Sequence, residues 1–221
     1  MSRSRILPSG ALAAIPGATA AVLVVVAVTV ALTSCSSSTV SVGLDTAPAR
    51  TDFAASAVMT PPKTAPDFTL RDSLGHTVSL SQFRGRAVIL TFIYAHCPNV
   101  CPVIVAKLHQ ALLELGPSAR EVQMLGVSVD PHGDTPAYVN QFLAVHHVTG
   151  RFQYLLGSLH RLRPIWREYH IAVLPHPGTN VIGHAAVLYG ISGSGKEMTV
   201  YSASTFQPQM IVHDVPLLAS R

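Results

Sequence analysis

The stretch YAHCPNVCP, Tyr94 to Pro102, holds two cysteines, Cys97 and Cys101, with three residues between them and a proline after each. An apolar, β-rich run, AVILTFIYA (Ala87 to Ala95), ends just before the pair, and a helical pattern starts at once after it. Backbone N–H groups at the start of a helix lack partners and the helix dipole is positive there, so thiolate is favoured over thiol. A four-residue offset also places both side chains on one face of a first helical turn. Pro102 is tolerated there because a first-turn N–H has no helical partner. Two activated sulfurs aimed at one point can exchange disulfides or hold a soft metal ion, Cu(I) or Zn(II). The alternative is a small structural disulfide, which stabilises little because so short a loop removes little chain entropy.

A third ligand would favour metal. The chain offers 11 histidines. His76, His109, His146, His147, His160 and His213 fall on turns or helix faces and read as solvent-exposed. His184 differs, because it opens the apolar strand HAAVLYG and belongs at that strand's starting edge. Position alone leaves its role open. Asp130 ends a strand beside the pair, where it either orients a ligand or partner or simply starts the Asp130-Pro131 turn.

The elements that position these residues follow from pattern. DFTLRDSLGHTVSL reads as a hairpin turning at Ser73-Leu74-Gly75. Ala87 to Ala95, unbroken by polar alternation, suits a buried central strand. VIVAKLHQALLELG carries Ile104, Leu108, Ala111, Leu112 and Leu115 at helical spacing and stops at Gly116-Pro117. VQMLGVSVD is a second buried strand, and DTPAYVNQFLAVHH a helix with Thr135 at the N-cap and Pro136 at its first position. RFQYLLG is extended. LHRLRPIWREYHI is helical in pattern, with Pro164 expected to break or restart it. A strand, a Gly/Ser turn and a returning strand follow from His184, and PQMIVHDVPLLA is a last helix expected to end near Pro216. Strands alternating with helices give an α/β layer structure with parallel pairs.

At the N-terminus, Arg3 and Arg5 precede a stretch with no charge until Asp45, and the densest apolar run is Ala20 to Leu32. That run is shorter than the roughly 20 residues a spanning helix needs. A basic start, a short apolar run and a small-residue end describe an export signal. LTSC, Leu32 to Cys35, resembles a bacterial lipobox, which implies cleavage before Cys35 and lipid attachment to it. The expected organisation is a signal peptide over 1–34, a flexible tether over 35–62 and a folded domain over 63–221. A coil of the tether's length has its ends roughly 30 Å apart. The domain then stands outside the cytoplasm, held at a membrane through Cys35. Losing residues 1–34 removes two arginines and no acid, leaving 13 basic against 11 acidic side chains. That balance and the lack of a basic run argue against nucleic acid. Cys97 and Cys101 become the only unmodified thiols, one close pair in an exported protein.

TFIYAHCPNVCP, with VSVDPHGDTP and the later His184, resembles the Sco/SenC family of copper chaperones. The likeness extends over most of residues 60–218, including the Phe68-Thr69-Leu70 hairpin, the Gly85 turn and the tail YSASTFQPQMIVHDV. It implies a thioredoxin-like fold, a central mixed sheet flanked by helices, and one copper ion held by Cys97, Cys101 and His184. Two thiolates and one imidazole suit three-coordinate Cu(I); Cu(II) asks more strongly for nitrogen or oxygen ligands. It further implies a role in maturing the dinuclear copper centre of cytochrome c oxidase. The partner is then the copper-accepting subunit of that oxidase, served by copper donation, by reduction of its cysteines, or both. The sequence departs from the family's usual pattern at Asn99, where aspartate is common, and at Ala185, where serine is common. It also carries an extra His176 in the loop before His184.

Three other functions compete. A thiol–disulfide oxidoreductase of the thioredoxin superfamily usually spaces its cysteines by two residues and has a cis-proline where Gly183-His184 stands here. A peroxiredoxin-type peroxidase needs threonine at the position of Tyr94. A structural zinc clip lacks a fourth ligand in paired spacing.

Overall fold

The computed structural model describes residues 52–175 and 182–221. In chain order its strands are β1 (Ala57–Thr64), β2 (Thr69–Asp72), β3 (Thr77–Ser79), β4 (Ala87–Ile93), β5 (Val122–Ser128), β6 (Phe152–Leu156), β7 (Val173–Pro175), β8 (Ile182–His184), β9 (Val187–Ile191) and β10 (Lys196–Ser202). The α-helices are α1 (Val100–Leu115), α2 (Pro136–Val145), α3 (Leu159–Glu168) and α4 (Pro208–Ala219). Eight strands form one mixed sheet in the order β1-β10-β9-β4-β5-β6-β2-β3, and β7 and β8 pair separately.

β4 lies inside the sheet, as its unbroken apolar sequence requires. It runs parallel to β5 on one side and antiparallel to β9 on the other. Every side chain of β4 and β5 is buried, so both faces are covered. α1 and α4 pack on each other and on this core, with Ile104, Leu108 and Leu112 of α1 and Ile211, Val215 and Leu218 of α4 buried. Thr135 caps α2 by accepting from the Tyr138 backbone N–H, with Pro136 at the first position, as the sequence indicates.

Four expectations need correction. The expected tether over 35–62 is too long at its C-terminal end, because β1 pairs with β10 and Phe53 joins the core. Pro61 and Pro62 disguised this strand. They sit on the sheet's edge, in the stretch where the register slips between Val58 and Lys63, and prolines are tolerated at an edge or bulge. Second, α3 runs through Pro164. Proline removes one helical bond on an exposed face, while Leu162, Ile165 and Trp166 are buried opposite, and the Trp166 indole N–H donates to the Ser128 carbonyl at 3.0 Å. Third, α4 likewise continues past Pro216 to Ala219. Fourth, His184 closes β8 instead of opening β9; Ala185 and Ala186 separate the two strands.

At the C-terminal ends of the parallel strands a single buried carboxylate gathers the chain. Asp134 accepts from the Ala95 backbone N–H at 2.8 Å, from the Ser128 hydroxyl at 2.6 Å and from the Tyr154 hydroxyl at 2.7 Å. The three donors belong to the segments that leave β4, end β5 and occupy β6. Burial pushes the carboxyl pKa up, and these hydrogen bonds to the charged form offset that only in part. Replacing Asp134 by Ala leaves the Ala95 N–H and the Ser128 hydroxyl without their partner. We expect a loss of about 2–6 kcal/mol in urea unfolding, since each of the two orphaned buried donors costs about 1–3 kcal/mol.

Candidate metal centre

Cys97 lies in the turn after β4, and Cys101 is the second residue of α1, so the pair straddles the helix start. Both are free thiols and both are buried. Asn99 holds the N-cap position but its side chain caps nothing. The sulfur does so instead: the Cys101 backbone N–H donates to Cys97 Sγ at 3.4 Å. The Cys101 thiol also hydrogen-bonds to the Cys97 sulfur, and the backbone N–H groups of Asn99, Val100 and Cys101 favour its charged form. Together they outweigh burial and bring the Cys97 pKa down to about 5. Donation to that thiolate, with burial, pushes Cys101 strongly upward. The two sulfurs therefore differ in kind: Cys97 is the thiolate at neutral pH and Cys101 the protonated partner.

His184 does not join the two sulfurs within 4.8 Å, the span of a shared coordination sphere, among the described residues. Its Nε2–H donates to the Phe92 carbonyl at 2.8 Å. Phe92 lies just beyond the last β4–β9 pair, Thr91 with Leu188. Nδ1 faces a second carbonyl, that of Ile182, at 3.4 Å. A carbonyl can only accept and a neutral ring has one N–H, so the shorter Phe92 contact takes the proton and Nδ1 keeps the lone pair, turned toward Ile182. That is the arrangement by which an outer hydrogen bond fixes the tautomer of a ligand histidine. Tyr94 links the two parts. Its hydroxyl accepts from the Ile182 backbone N–H at 3.3 Å and hydrogen-bonds to Cys97, and its ring meets the His184 ring edge-on at 5.9 Å. In the sequence Tyr94 served only to exclude a peroxidase; its bridging place depends on the fold.

Asp130 accepts from the backbone N–H groups of His132 and Gly133, which is the turn role its sequence offered. It also approaches His96 and Asp134, whose ligand atoms all lie within 4.8 Å of one another. His96 is exposed and stacked on Tyr138 with centroids 3.6 Å apart. Asp134, missed in the sequence, was visible only as the residue before the N-cap Thr135 in VSVDPHGDTP. His76, His147, His160 and His213 are exposed as expected, whereas His109 and His146 are half-buried, His146 against the Phe142 ring. His176 and Cys35 lie outside the described residues.

Residues 57–219 match the family model described as SCO1/SenC. The mitochondrial protein SCO2 homolog of Bos taurus is 31% identical over 150 residues, 65% of this chain and 56% of that protein. The chain thus spans about half the length of the mitochondrial relatives it matches. Apo Sco1 of Thermus thermophilus superposes with a TM-score of 0.64 at 28% identity, covering 75% of this chain and 96% of that one. Copper-bound ScoI of Bradyrhizobium japonicum superposes at 0.63 with 24% identity, covering 70% and 99%. The fold is thioredoxin-like, as the resemblance implied.

Only thiolate is alkylated at an appreciable rate, so the modification rate follows the thiolate fraction. With the Cys97 pKa lowered to about 5, iodoacetamide labelling of the reduced protein should rise through about pH 5 and be flat at neutral pH. An ordinary cysteine would still be climbing near pH 8.5. Cys101→Ala removes the thiol donor, and should move the Cys97 midpoint upward.

Proposed function

The chain belongs to the SCO1/SenC family, and from that premise we propose that it is a copper metallochaperone, held at the membrane with its domain on the extracytoplasmic side. Its cargo is copper, carried as Cu(I), and its client is the copper-accepting subunit of cytochrome c oxidase, where the dinuclear copper centre is assembled. Cys97, Cys101 and His184 are the ligands, and lipid on Cys35 is the anchor, joined to the domain by a tether that ends before β1. The observation that carries the reading is the chemistry of the donor set. One preformed thiolate, one thiol beside it and one imidazole with a ring nitrogen already bonded to a carbonyl are soft and few. Such a set favours Cu(I) over the harder ions and suits transfer between proteins.

Binding requires Cys101 to lose its proton, so metal affinity rises with pH. It also requires the β7–β8 hairpin to bring His184 Nδ1 toward the sulfurs. Phe92 and Tyr94 tie the hairpin to the end of β4 through one backbone carbonyl and one hydroxyl. These are two weak tethers, suited to a small displacement.

The division of the pair into thiolate and thiol supports a second use, as thiol–disulfide reductant of the client's cysteines. The Cys97 thiolate attacks a client disulfide and forms a mixed disulfide, releasing one client thiolate. Cys101, deprotonated, then attacks Cys97 and releases the second. Two electrons pass to the client, and this chain ends with a Cys97–Cys101 disulfide that has no thiolate left for Cu(I).

The test is a Cu(I) titration against a competing chelator, in reduced protein carrying Cys35→Ala so that Cys97 and Cys101 are its only thiols. One ion per chain is expected. His184→Ala should weaken binding about tenfold or more while leaving the disulfide able to form, as loss of a ligand or its outer partner does. Wild-type affinity in His184→Ala, with loss in His176→Ala, would assign the other histidine. Equal affinity in the reduced and the oxidised chain would remove the sulfurs from the site.

A further inference from the structure

A polar cavity lies at the pole of the sheet opposite the cysteine turn. Its volume is about 390 Å³, within the range of small-ligand sites. Three arginines line it: Arg86 just before β4, Arg151 just before β6, and Arg120 in the turn that follows α1. Val122 and Gln123, at the start of β5, complete the floor. The parallel strands β4, β5 and β6 all begin here, so the cavity is a strand length, roughly 20 Å, from the cysteine turn at the far end of β4.

The charge is uncompensated. No carboxylate lines the cavity, and none of the three guanidinium groups forms an ion pair among the described residues. Arg86 is held in place by donation from Nη2 to the Val122 carbonyl at 2.6 Å. Its Nε–H is nevertheless buried without any hydrogen-bond partner. Buried donors are nearly always paired, and an exception calls for a reason. Three like charges lining one concavity, one of them anchored, make a receptor for an anion with several acceptor oxygens. The planar fork of arginine matches phosphate in this way.

We propose that this cavity is a phosphate-binding site, taking the phosphate group of an anionic lipid or free phosphate. It is independent of the copper reading. Its position bears on the source. Asp52, the first described residue, lies 3.6 Å from Arg221, whose carbonyl accepts from Ser194 N–H; the neighbouring Gly193 carbonyl accepts from Gly85 N–H, just before Arg86. The chain that leads back toward the N-terminus therefore leaves the domain at the arginine pole, which is the pole that would face a lipid surface.

The test uses the full-length chain in non-ionic detergent micelles and reads the arginine Nε–H resonances by NMR. One series adds inorganic phosphate, with chloride at matched ionic strength as control. A second series mixes phosphatidylglycerol into the micelles. The site predicts a saturable shift in at least one series, absent with chloride, and weakened about tenfold or more in Arg120→Ala/Arg151→Ala, where two charge-assisted donors are gone. The double variant should keep the wild-type unfolding midpoint and its Cu(I) stoichiometry, so that loss of binding is not loss of fold. A shift in the phosphate series alone assigns free phosphate, and one with phosphatidylglycerol alone assigns the headgroup. No saturable shift in either series, the same shift with chloride, or undiminished binding in the double variant would overturn the proposal.

Discussion

The buried carboxylate of Asp134 is the constraint on which the cysteine pole depends. The segment that leaves β4, the end of β5 and the middle of β6 must be held together for the thiol pair to stand above them. Ladder bonds tie β4 to β5 only as far as Ile93, whose carbonyl accepts from the Val129 N–H at 2.9 Å, and the segment around Ala95 lies beyond them. Asp134 holds the three together by accepting from Ala95, Ser128 and Tyr154 at once. The Ala95 N–H is two residues from Cys97, so the position of the nucleophilic sulfur is set by a charge that cannot move without leaving donors unpaired. The Tyr154 hydroxyl also lies 3.1 Å from the Ile93 carbonyl, which ties β4 and β6 across β5. A buried, satisfied network of this kind is rigid, and rigidity here falls on the turn that carries the chemistry.

On that rigid base the two sides of the site differ. The sulfur side is preorganised: the helix start, the missing Asn99 cap and the Cys101 thiol all favour charge on Cys97. The imidazole side is held apart on a two-stranded hairpin outside the main sheet, tied through Phe92 and Tyr94. That difference between the two sides fits the proposed transfer of copper between proteins. A fully assembled set would bind more tightly and release more slowly.

Much of this was legible in the residues. The buried central strand, the cysteine turn, the helix after it and the capped start of α2 each had a local signal, and local signals agreed with the fold. The failures have physical causes. β1 was missed because Pro61 and Pro62 are incompatible with a central strand, yet an edge strand with a slipped register accepts them. The helix through Pro164 defied its local rule because burial of Leu162, Ile165 and Trp166 outweighs one lost backbone bond. Asp134 was passed over in favour of Asp130 because nothing in a run of residues says which of two aspartates will point inward. The distance from His184 to the sulfurs was likewise invisible, since it depends on a separate hairpin.

The central claim is that Cys97, Cys101 and His184 form one coordination sphere around Cu(I), although the three do not meet within 4.8 Å among the described residues. X-ray absorption at the copper K-edge, on chain loaded with one equivalent of Cu(I), tests it most directly. The account predicts a first shell of two sulfurs and one imidazole nitrogen, with the imidazole lost in His184→Ala and retained in His96→Ala. A shell without sulfur, or one whose imidazole survives His184→Ala and disappears in His96→Ala, would contradict it and move the metal to the cluster of His96, Asp130 and Asp134.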